Sequence, residues 1–404
     1  MSTKLIARRD FLKSTVAGCS GFFFLASHDK KQEEKSGEQK RTETKKIYRT
    51  LGKTGIKLPV ITMGVMNSDN PALVRAALEA GMVHLDTAQT YQRGTNETMI
   101  GEVLQGRPRD SYVIATKARL PVDQKTGIYT SEATEEAYQK KIDTSLKNLG
   151  LDHVDVYYHH NVWVRESALY EPIMKALEKA KKAGKARFVG ITTHRNEPEV
   201  IQAAIDSKLY DVVLTAYNFR QKHYAEIRNA IAQATDAGLG IVAMKTMGGN
   251  VGGSYAAQRK IDAPASLKWA LQDPNVHTVI AGFTTFDQMN LDLSVMEDLA
   301  LSKAEKGYLQ RAVSVAGLYC QGCGQCLTQC IQHLPIPELM RAYMYAYGYR
   351  NLREAQDLIL SLTLSTQVCT DCSQCSVTCL NGFDVSNRVR NIVRLRDVPA
   401  DFIA

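Results

Sequence analysis

Long apolar runs and basic clusters are both scarce in this sequence. After residue 27 no stretch reaches the roughly 20 consecutive apolar residues of a membrane-spanning helix, so no transmembrane span is predicted for the rest of the chain. The formal charge is +8, but residues 1–46 hold 11 Lys/Arg and 6 Asp/Glu, a net +5, which leaves 39 against 36, a net +3. No basic patch indicates nucleic-acid binding, and the surface is predicted to be an ordinary solvated one.

The first 46 residues have two compositions. Arg8-Arg9-Asp10-Phe11-Leu12-Lys13 precedes an apolar stretch, Ser14–Ala26, and this pattern resembles a twin-arginine export signal. Residues 1–27 are therefore predicted to be a signal peptide, and the chain is expected to be periplasmic or envelope-associated. A lipoprotein cleavage at Cys19 is a less favoured alternative. Residues 28–46, nearly all charged or polar, are predicted to be a disordered linker.

From residue 47 to 312 apolar runs alternate with amphipathic helical patterns, as in parallel α/β folds. The pattern predicts a (β/α)8 TIM barrel of ordinary size. The predicted strands are Val60–Val65, Met82–Leu85, Tyr112–Thr116, Val154–His159, Arg187–Ile191, Val212–Thr215, Gly240–Met244 and Thr278–Ala281. The predicted helices are Pro71–Ala80, Glu97–Leu104, Glu132–Leu149, Glu171–Ala183, Pro198–Ser207, Tyr224–Ala237, Ala265–Gln272 and Gln288–Met296.

Four polar residues stand at or just beyond the ends of three of these strands: Asp86, Tyr91, Lys117 and His160. The carboxyl ends of parallel strands share one rim, where ligands bind. Hydride addition to a carbonyl leaves negative charge on oxygen, which a tyrosine can protonate. A nearby ammonium is expected to lower the phenol pKa from about 10. Lys117 would supply that ammonium, Asp86 would hold it, and His160 would orient the carbonyl. The four together predict a carbonyl reductase.

The motifs around these residues resemble the aldo-keto reductase family from Ile47 to about Met296. They are Tyr48-Arg49-Thr50-Leu51-Gly52-Lys53-Thr54-Gly55, Asp86-Thr87-Ala88 through Tyr91, Ile114-Ala115-Thr116-Lys117, Asp155-Val156-Tyr157-Tyr158-His159-His160 and Gly184-Lys185-Ala186-Arg187-Phe188-Val189-Gly190-Ile191. The Asp-x-Tyr-x-x-His pattern selects His160 over His159. The resemblance implies that Tyr91 is the acid/base, assisted by Asp86, Lys117 and His160.

A glycine-rich segment from Met244 to Ser254 follows the seventh barrel strand and is predicted to hold the phosphates of NAD(P)H. The cofactor-binding residues expected from the resemblance are Thr192, Thr193, Lys245, Gly248, Gly249, Gly282, Thr284 and Gln288.

The chain departs from the family pattern at several positions of the expected cofactor site. Thr192-Thr193 stands in place of Ser-Asn, Leu214 in place of glutamine, and Met244 in place of an aromatic residue. Thr284 and Gln288 replace the usual cations for the ribose 2′-phosphate, so NAD and NADP stay open.

Eight of the nine cysteines form two runs with one spacing. They are Cys320-x2-Cys323-x2-Cys326-x3-Cys330 and Cys369-x2-Cys372-x2-Cys375-x3-Cys379. This is the spacing of bacterial ferredoxins with two 4Fe–4S clusters, although Ile331 and Leu380 replace the usual proline. Zinc or disulfides are weaker alternatives.

In such ferredoxins the fourth cysteine of each run binds the other cluster. One predicted ligand set is therefore Cys320, Cys323, Cys326 and Cys379, and the other is Cys369, Cys372, Cys375 and Cys330. Residues 313–404 are predicted to form a small, mainly helical iron–sulfur domain, with helices at Pro337–Tyr347 and Leu352–Leu360. Four tyrosines there, at 343, 345, 347 and 349, indicate a docking surface or, as favoured, packing.

These features together predict an exported oxidoreductase that interconverts a small carbonyl and an alcohol with NAD(P)H. Its two 4Fe–4S clusters would relay electrons, with a redox partner protein as one candidate recipient, or stabilise the fold. No flavin motif is present to divide a hydride into single electrons. The alternative is a non-catalytic redox-sensing or electron-relay module in which the barrel only holds a dinucleotide.

Overall fold

A computed structural model describes residues 46–249, 261–314, 317–365, 367–369, 372 and 375–403. The predicted signal peptide, almost all of the predicted linker, and the glycine-rich segment beyond Gly249 lie outside these residues. None of the helices in the described ranges is both long and apolar enough to cross a membrane.

Eight parallel strands close into a barrel, which confirms the predicted fold of this part of the chain. The closed order is β10-β3-β4-β5-β6-β7-β8-β9. The bounds are Ile61–Gly64 (β3), His84–Asp86 (β4), Val113–Ala118 (β5), Val154–His159 (β6), Ala186–Thr193 (β7), Val212–Ala216 (β8), Gly240–Met244 (β9) and Thr278–Ala281 (β10). Because all strands run in the same direction, their carboxyl ends form one rim.

A short hairpin precedes the barrel and closes its opposite end. Strands Tyr48–Thr50 (β1) and Lys57–Pro59 (β2) pair antiparallel. The turn between them carries Leu51, which is 1% exposed and packs in the barrel interior with Val212 and Val242. A Cβ at Gly240 would lie 2.5 Å from Leu51 Cγ, so glycine is required where the hairpin meets β9.

Helices cover the outside of the barrel. They are Pro71–Glu79 (α1), Asn96–Leu104 (α2), Glu135–Leu149 (α3), Arg165–Ala168 (α4), Glu171–Lys182 (α5), Glu197–Ser207 (α6), Tyr224–Asp236 (α7), Ala263–Leu271 (α8), Phe286–Ser294 (α9) and Lys303–Val313 (α10). Local signals set several ends. Asn70 caps α1, with Pro71 at its first position, and Gly150 ends α3 with a φ of 64°.

The C-terminal segment forms three further helices, Ile336–Tyr347 (α11), Leu352–Leu360 (α12) and Val385–Val393 (α13). Their apolar faces form a core of their own, which includes Leu339, Ile359 and Val389. This segment and the barrel belong to one compact unit. The predicted boundary between residues 312 and 313 falls at the end of α10.

His159 ends β6 inside the barrel wall, where it hydrogen-bonds to two tyrosines. The Tyr210 hydroxyl donates to the Ala168 carbonyl at 2.8 Å and therefore accepts from His159 Nδ1 at 2.9 Å. The Tyr129 hydroxyl then donates to Nε2 at 2.5 Å. Burial lowers the pKa of His159 to about 3. The folded protein thus binds this proton only in strong acid.

We expect this histidine to make stability fall in acid. An unfolded histidine has a pKa of about 6.5, so between that pH and pH 3 the unfolded state binds one more proton. Stability present above pH 6.5 is therefore lost as the pH falls, at about 1.4 kcal/mol per pH unit. Urea denaturation at a series of pH values gives the free energy of unfolding at each pH. Between roughly pH 6 and 4 this free energy should change less steeply with pH in H159N than in the wild type, by about that amount. H333N changes an exposed histidine and should keep the wild-type dependence of the unfolding free energy on pH. The same pH dependence in the wild type, H159N and H333N would contradict this account.

Candidate active site

A buried ion pair lies at the rim where β4 and β5 end. Asp86 is the last residue of β4, and Lys117 is the penultimate residue of β5. Both side chains are 2% exposed. Lys117 Nζ donates to Asp86 Oδ1 and, at 2.7 Å, to the carbonyl of Thr87. Burial lowers the pKa of Lys117, whereas the Asp86 carboxylate raises it, so each charge is tolerated here because of the other.

Tyr91 reaches the rim from a strained turn, Tyr91–Gly94. Gln92 and Arg93 have φ values of 51° and 57°, in the left-handed region, at a cost of order 1–3 kcal/mol each. The C-terminal helix α12 helps to hold this conformation. Arg93 Nε donates to Asp357 Oδ1 at 2.8 Å, and Arg93 Nη2 donates to Gln356 Oε1 at 2.9 Å. The position of Tyr91 therefore depends on residues more than 260 positions later in the chain.

The ammonium of Lys117 lies over the ring of Tyr91, 5.0 Å from the ring centroid. The expectation that Lys117 lowers the pKa of Tyr91 is wrong for this arrangement. The pKa of Tyr91 is raised well above 10, first by burial and then by the Asp86 carboxylate. Because Lys117 is paired with Asp86, its charge is offset at the phenol. Tyr91 is consequently a protonated hydroxyl at neutral pH.

His160 follows β6 and faces the same space as Tyr91. Their rings meet edge to face, with centroids 6.3 Å apart and planes at 85°. Burial lowers the pKa of His160 well below 6.5, and the charges of Lys117 and Arg119 lower it further. Its Nδ1 has no hydrogen-bond partner in the described part of the chain. A neutral imidazole thus faces the tyrosine, and the choice of His160 over His159 agrees with its position.

One cavity of about 1020 Å³ joins the four predicted catalytic residues to most of the predicted cofactor residues. Its lining includes Asp86, Tyr91, Lys117 and His160 together with Thr192, Lys245, Gly249, Gly282, Thr284 and Gln288. Thr193 and Gly248 do not line it. The hydroxyl of Thr193 donates to the Arg195 carbonyl at 2.7 Å, and Gly248 lies against the side chain of Arg220.

The departures from the family motifs have different structural consequences. Leu214 is fully buried in the barrel interior and does not line the cavity, whereas Met244 does. Thr192 Oγ1 accepts a hydrogen bond from the Asn161 backbone at 2.8 Å. Gln288 folds back on its own loop, since its Oε1 accepts from the Thr284 backbone N–H at 2.8 Å. Neutral side chains therefore stand at the part of the cavity that follows β10.

Sequence reasoning missed a second group of cavity residues, some of them from the C-terminal helices. They are Arg119, His194, Arg341, Tyr345 and Glu354. Arg341 Nη1 lies 3.3 Å from Asn161 Oδ1 and 3.2 Å from His194 Nδ1, and its guanidinium also pairs with Glu338. The packing interpretation holds for Tyr345, which is 6% exposed, but its ring also lies beneath the ammonium of Lys245. Arg119 and His194 were open to inference from their places, because they directly follow β5 and β7.

The cysteines form two sets around two small cavities. One cavity is lined by Cys320, Cys323, Cys326 and Cys379, and the other by Cys330, Cys369, Cys372 and Cys375. Each set thus takes its fourth member from the other run. All eight thiols are free of disulfides. Within the described ranges, no three His, Cys, Asp or Glu side chains are grouped so as to hold a metal ion.

Comparison with known proteins agrees with the predicted family and with the barrel fold. The model of the aldo/keto reductase family matches residues 62–265, half of the chain. L-glyceraldehyde 3-phosphate reductase of Escherichia coli strain K12 is 32% identical over 172 residues, 39% of this chain and 48% of that protein. L-galactose dehydrogenase of Arabidopsis thaliana is 33% identical over 164 residues, 37% of this chain and 49% of that protein. The chain spans about half the length of these curated relatives.

Among solved structures, an aldo-keto reductase from Bacillus halodurans in its holo form has the same fold. The TM-score is 0.55 at 20% identity, over 67% of this chain and 98% of that one. The match of the family model to half of the sequence, on a closed eight-stranded barrel, identifies the chain as a member of the aldo/keto reductase family.

Proposed function

We propose that the protein is an exported NAD(P)-dependent oxidoreductase that interconverts a small carbonyl compound and its alcohol. The observation that carries the proposal is the meeting of Asp86, Tyr91, Lys117 and His160 on one cavity. Each of these residues is common in proteins, but their convergence at the strand ends of a barrel supplies a proton donor, a charge pair and a neutral hydrogen-bond donor together.

The cavity residues fit the two halves of this reaction. NAD(P)H, when bound, supplies the hydride. Tyr91, a hydroxyl at neutral pH like any tyrosine, donates the proton to the oxygen on which negative charge develops. The Lys117 ammonium, held by Asp86, lies over the ring of Tyr91, 5.0 Å from its centroid, and so fixes the side of the phenol that the substrate meets. Neutral His160 donates a hydrogen bond that orients the carbonyl, and it offers no competing proton because its pKa is lowered.

The residues that would hold the dinucleotide are Thr192, Lys245, Gly249, Gly282, Thr284 and Gln288. Their fit rests on the size and shape of the cavity, because about 1020 Å³ is at the upper end of the range for small-molecule and cofactor sites. A Cβ at Gly282 would meet its nearest neighbour at 3.8 Å, so this position leaves room for a close approach. Thr284 and Gln288 can donate hydrogen bonds to a ribose, whereas neither supplies charge for a 2′-phosphate.

Replacing Tyr91 by phenylalanine tests the proton donor. We expect kcat/KM of Y91F for small aldehydes and ketones to fall by about 10²–10⁴-fold, the usual contribution of a positioned general acid. Y224F removes the same atom from a tyrosine that is 43% exposed on α7 and should retain wild-type turnover. Steady-state NAD(P)H oxidation measures both. Undiminished turnover by Y91F would remove Tyr91 from the reaction, and absence of turnover in the wild type would favour the redox-sensing or electron-relay alternative.

We also propose that the two cysteine sets bind two 4Fe–4S clusters, for electron relay or for the stability of the C-terminal segment. Two observations support this: the ferredoxin spacing, and the exchange of Cys330 and Cys379 between the two cavities. Both donor sets consist of cysteine alone, which suits iron–sulfur chemistry.

Matched double variants test the exchange of ligands. The anaerobically isolated wild type should hold about eight irons and eight sulfides per chain. C320S/C379S changes one set only and should lose about four irons, whereas C320S/C330S changes both sets and should lose about eight. The opposite order would mean that each run binds its own cluster. Zinc in place of iron, or disulfides without metal, would refute the cluster assignment.

We further propose export by the twin-arginine route to the periplasm or envelope. One support is the pair Arg8-Arg9 directly before the apolar stretch. The other is that this route carries folded proteins with their cofactors already bound, as a protein with the proposed clusters would require.

Replacing Arg8 and Arg9 by lysine tests this route. R8K/R9K should accumulate in the cytoplasm at full length, whereas K30R/K31R, a matched change of two adjacent cations, should be processed normally. The mature N-terminus, read by mass spectrometry, should lie near residue 28. A lipid-modified Cys19 would indicate the lipoprotein alternative, and an intact N-terminus in every fraction would exclude export.

A further inference from the structure

The cavity has an excess of cationic side chains. Among the described residues that line it are seven Lys/Arg and three Asp/Glu. The cations are Arg93, Lys117, Arg119, Lys140, Lys141, Lys245 and Arg341, and the carboxylates are Asp86, Glu354 and Asp357. Two of the carboxylates are already paired, Asp86 with Lys117 and Asp357 with Arg93.

Arg119 and Lys245 have no carboxylate of their own. No hydrogen bond or ion pair to another described residue holds the guanidinium of Arg119, and burial and the charge of Arg341 lower its pKa. Lys245 Nζ lies 3.3 Å from the Tyr345 hydroxyl, and burial lowers its pKa to about 7. Arg341 is paired, but with Glu338, which does not line the cavity.

The remaining carboxylate offsets little of this charge. Burial and neighbouring Asp357 raise the pKa of Glu354 to about 7, so part of its negative charge is lost near neutral pH. Like charges confined in a space of low dielectric repel each other, and this repulsion is relieved when an anion enters. The arrangement thus favours a ligand with negative charge.

Two of these cations belong to the substrate side of the cavity. Arg119 follows β5, and Arg341 contacts Asn161, which follows β6 directly after His160. Thr284 and Gln288 follow β10, which stands four strands away from β6 in the closed order, on the opposite side of the barrel. The cations near His160 are therefore far around the rim from the proposed adenosine end of the cofactor.

We infer that the substrate carries an anionic group, a carboxylate or a phosphate, which Arg119 and Arg341 bind while its carbonyl faces Tyr91 and His160. Arginine suits this task, since its planar fork can bind either anion through two parallel hydrogen bonds. Lys245 adds a further positive charge only when it is protonated. The inference rests on the proposed function, because it names the substrate class of the same site.

Matched pairs of substrates test the inference. Suitable pairs are succinic semialdehyde with butanal, and glyceraldehyde 3-phosphate with glyceraldehyde. The wild type should prefer at least one anionic member by about tenfold or more in kcat/KM, and R119Q should lower that preference by about ten- to a hundredfold, mainly through KM. R119K should lose less, because it keeps the charge without the fork. R75Q, which removes an arginine from the exposed face of α1, should leave the preference unchanged.

Binding of unreactive anions gives a readout that does not need turnover. Calorimetry with succinate and with propyl phosphate should show binding to the wild type that R119Q weakens by about tenfold or more. The better ligand of the two assigns carboxylate or phosphate. If the enzyme reduces only neutral carbonyls, or if neither anion binds, the inference is overturned while the proposed reaction stands. If anions bind through Arg119 but no carbonyl is reduced, the proposed function fails and the anion site remains.

The affinity of R119Q for NADH and NADPH separates substrate from cofactor. We expect both affinities to match those of the wild type. A loss of nucleotide affinity equal to the loss of anion affinity would assign these cations to a cofactor phosphate and overturn the inference.

Discussion

The buried ion pair between Lys117 and Asp86 is the interaction on which the chemistry of the rim depends. A lysine at 2% exposure is stable as an ammonium only with a carboxylate at its side. The pairing has two effects nearby. After burial, the Asp86 carboxylate is the next cause that raises the pKa of Tyr91, and the Lys117 charge is the next cause that lowers the pKa of His160. The pair at the ends of β4 and β5 thus influences the protonation of one residue after β4 and of one residue after β6.

The C-terminal segment is part of the wall around this chemistry. Arg93 connects the turn of Tyr91 to α12, and Arg341 extends from α11 to Asn161. A small cavity is lined by Arg341, Lys245 and Cys320 together. The first cysteine set therefore lies next to the residues that line the large cavity. Loss of order around these cysteines would disturb the mouth of the barrel through α11.

The elements of the barrel could be predicted because each carries its own signal. Buried parallel strands are mostly apolar runs, so Gly240–Met244 has the predicted bounds, and so does Val154–His159, in which Asp155 is the one charged residue. Several observed helix ends differ from the predicted ones by one to three residues. At α3, for example, Thr134 is the N-cap, so the helix begins three residues later than predicted. The predictions missed α10 although its capping box, Ser302 with Glu305, is visible in the sequence.

The sequence by itself determined which side chains stand at strand ends and how the cysteines are spaced, because strand periodicity and ligand spacing are local. The strands predicted from the sequence were enough to place Asp86 and Lys117 at one rim, because the carboxyl ends of parallel strands lie at the same edge of the barrel. Only the tertiary structure decided that Arg341 and Tyr345 reach the same cavity, and that the pKa of Tyr91 rises and does not fall. Both depend on contacts between distant parts of the chain and on the exclusion of water, which no local pattern encodes.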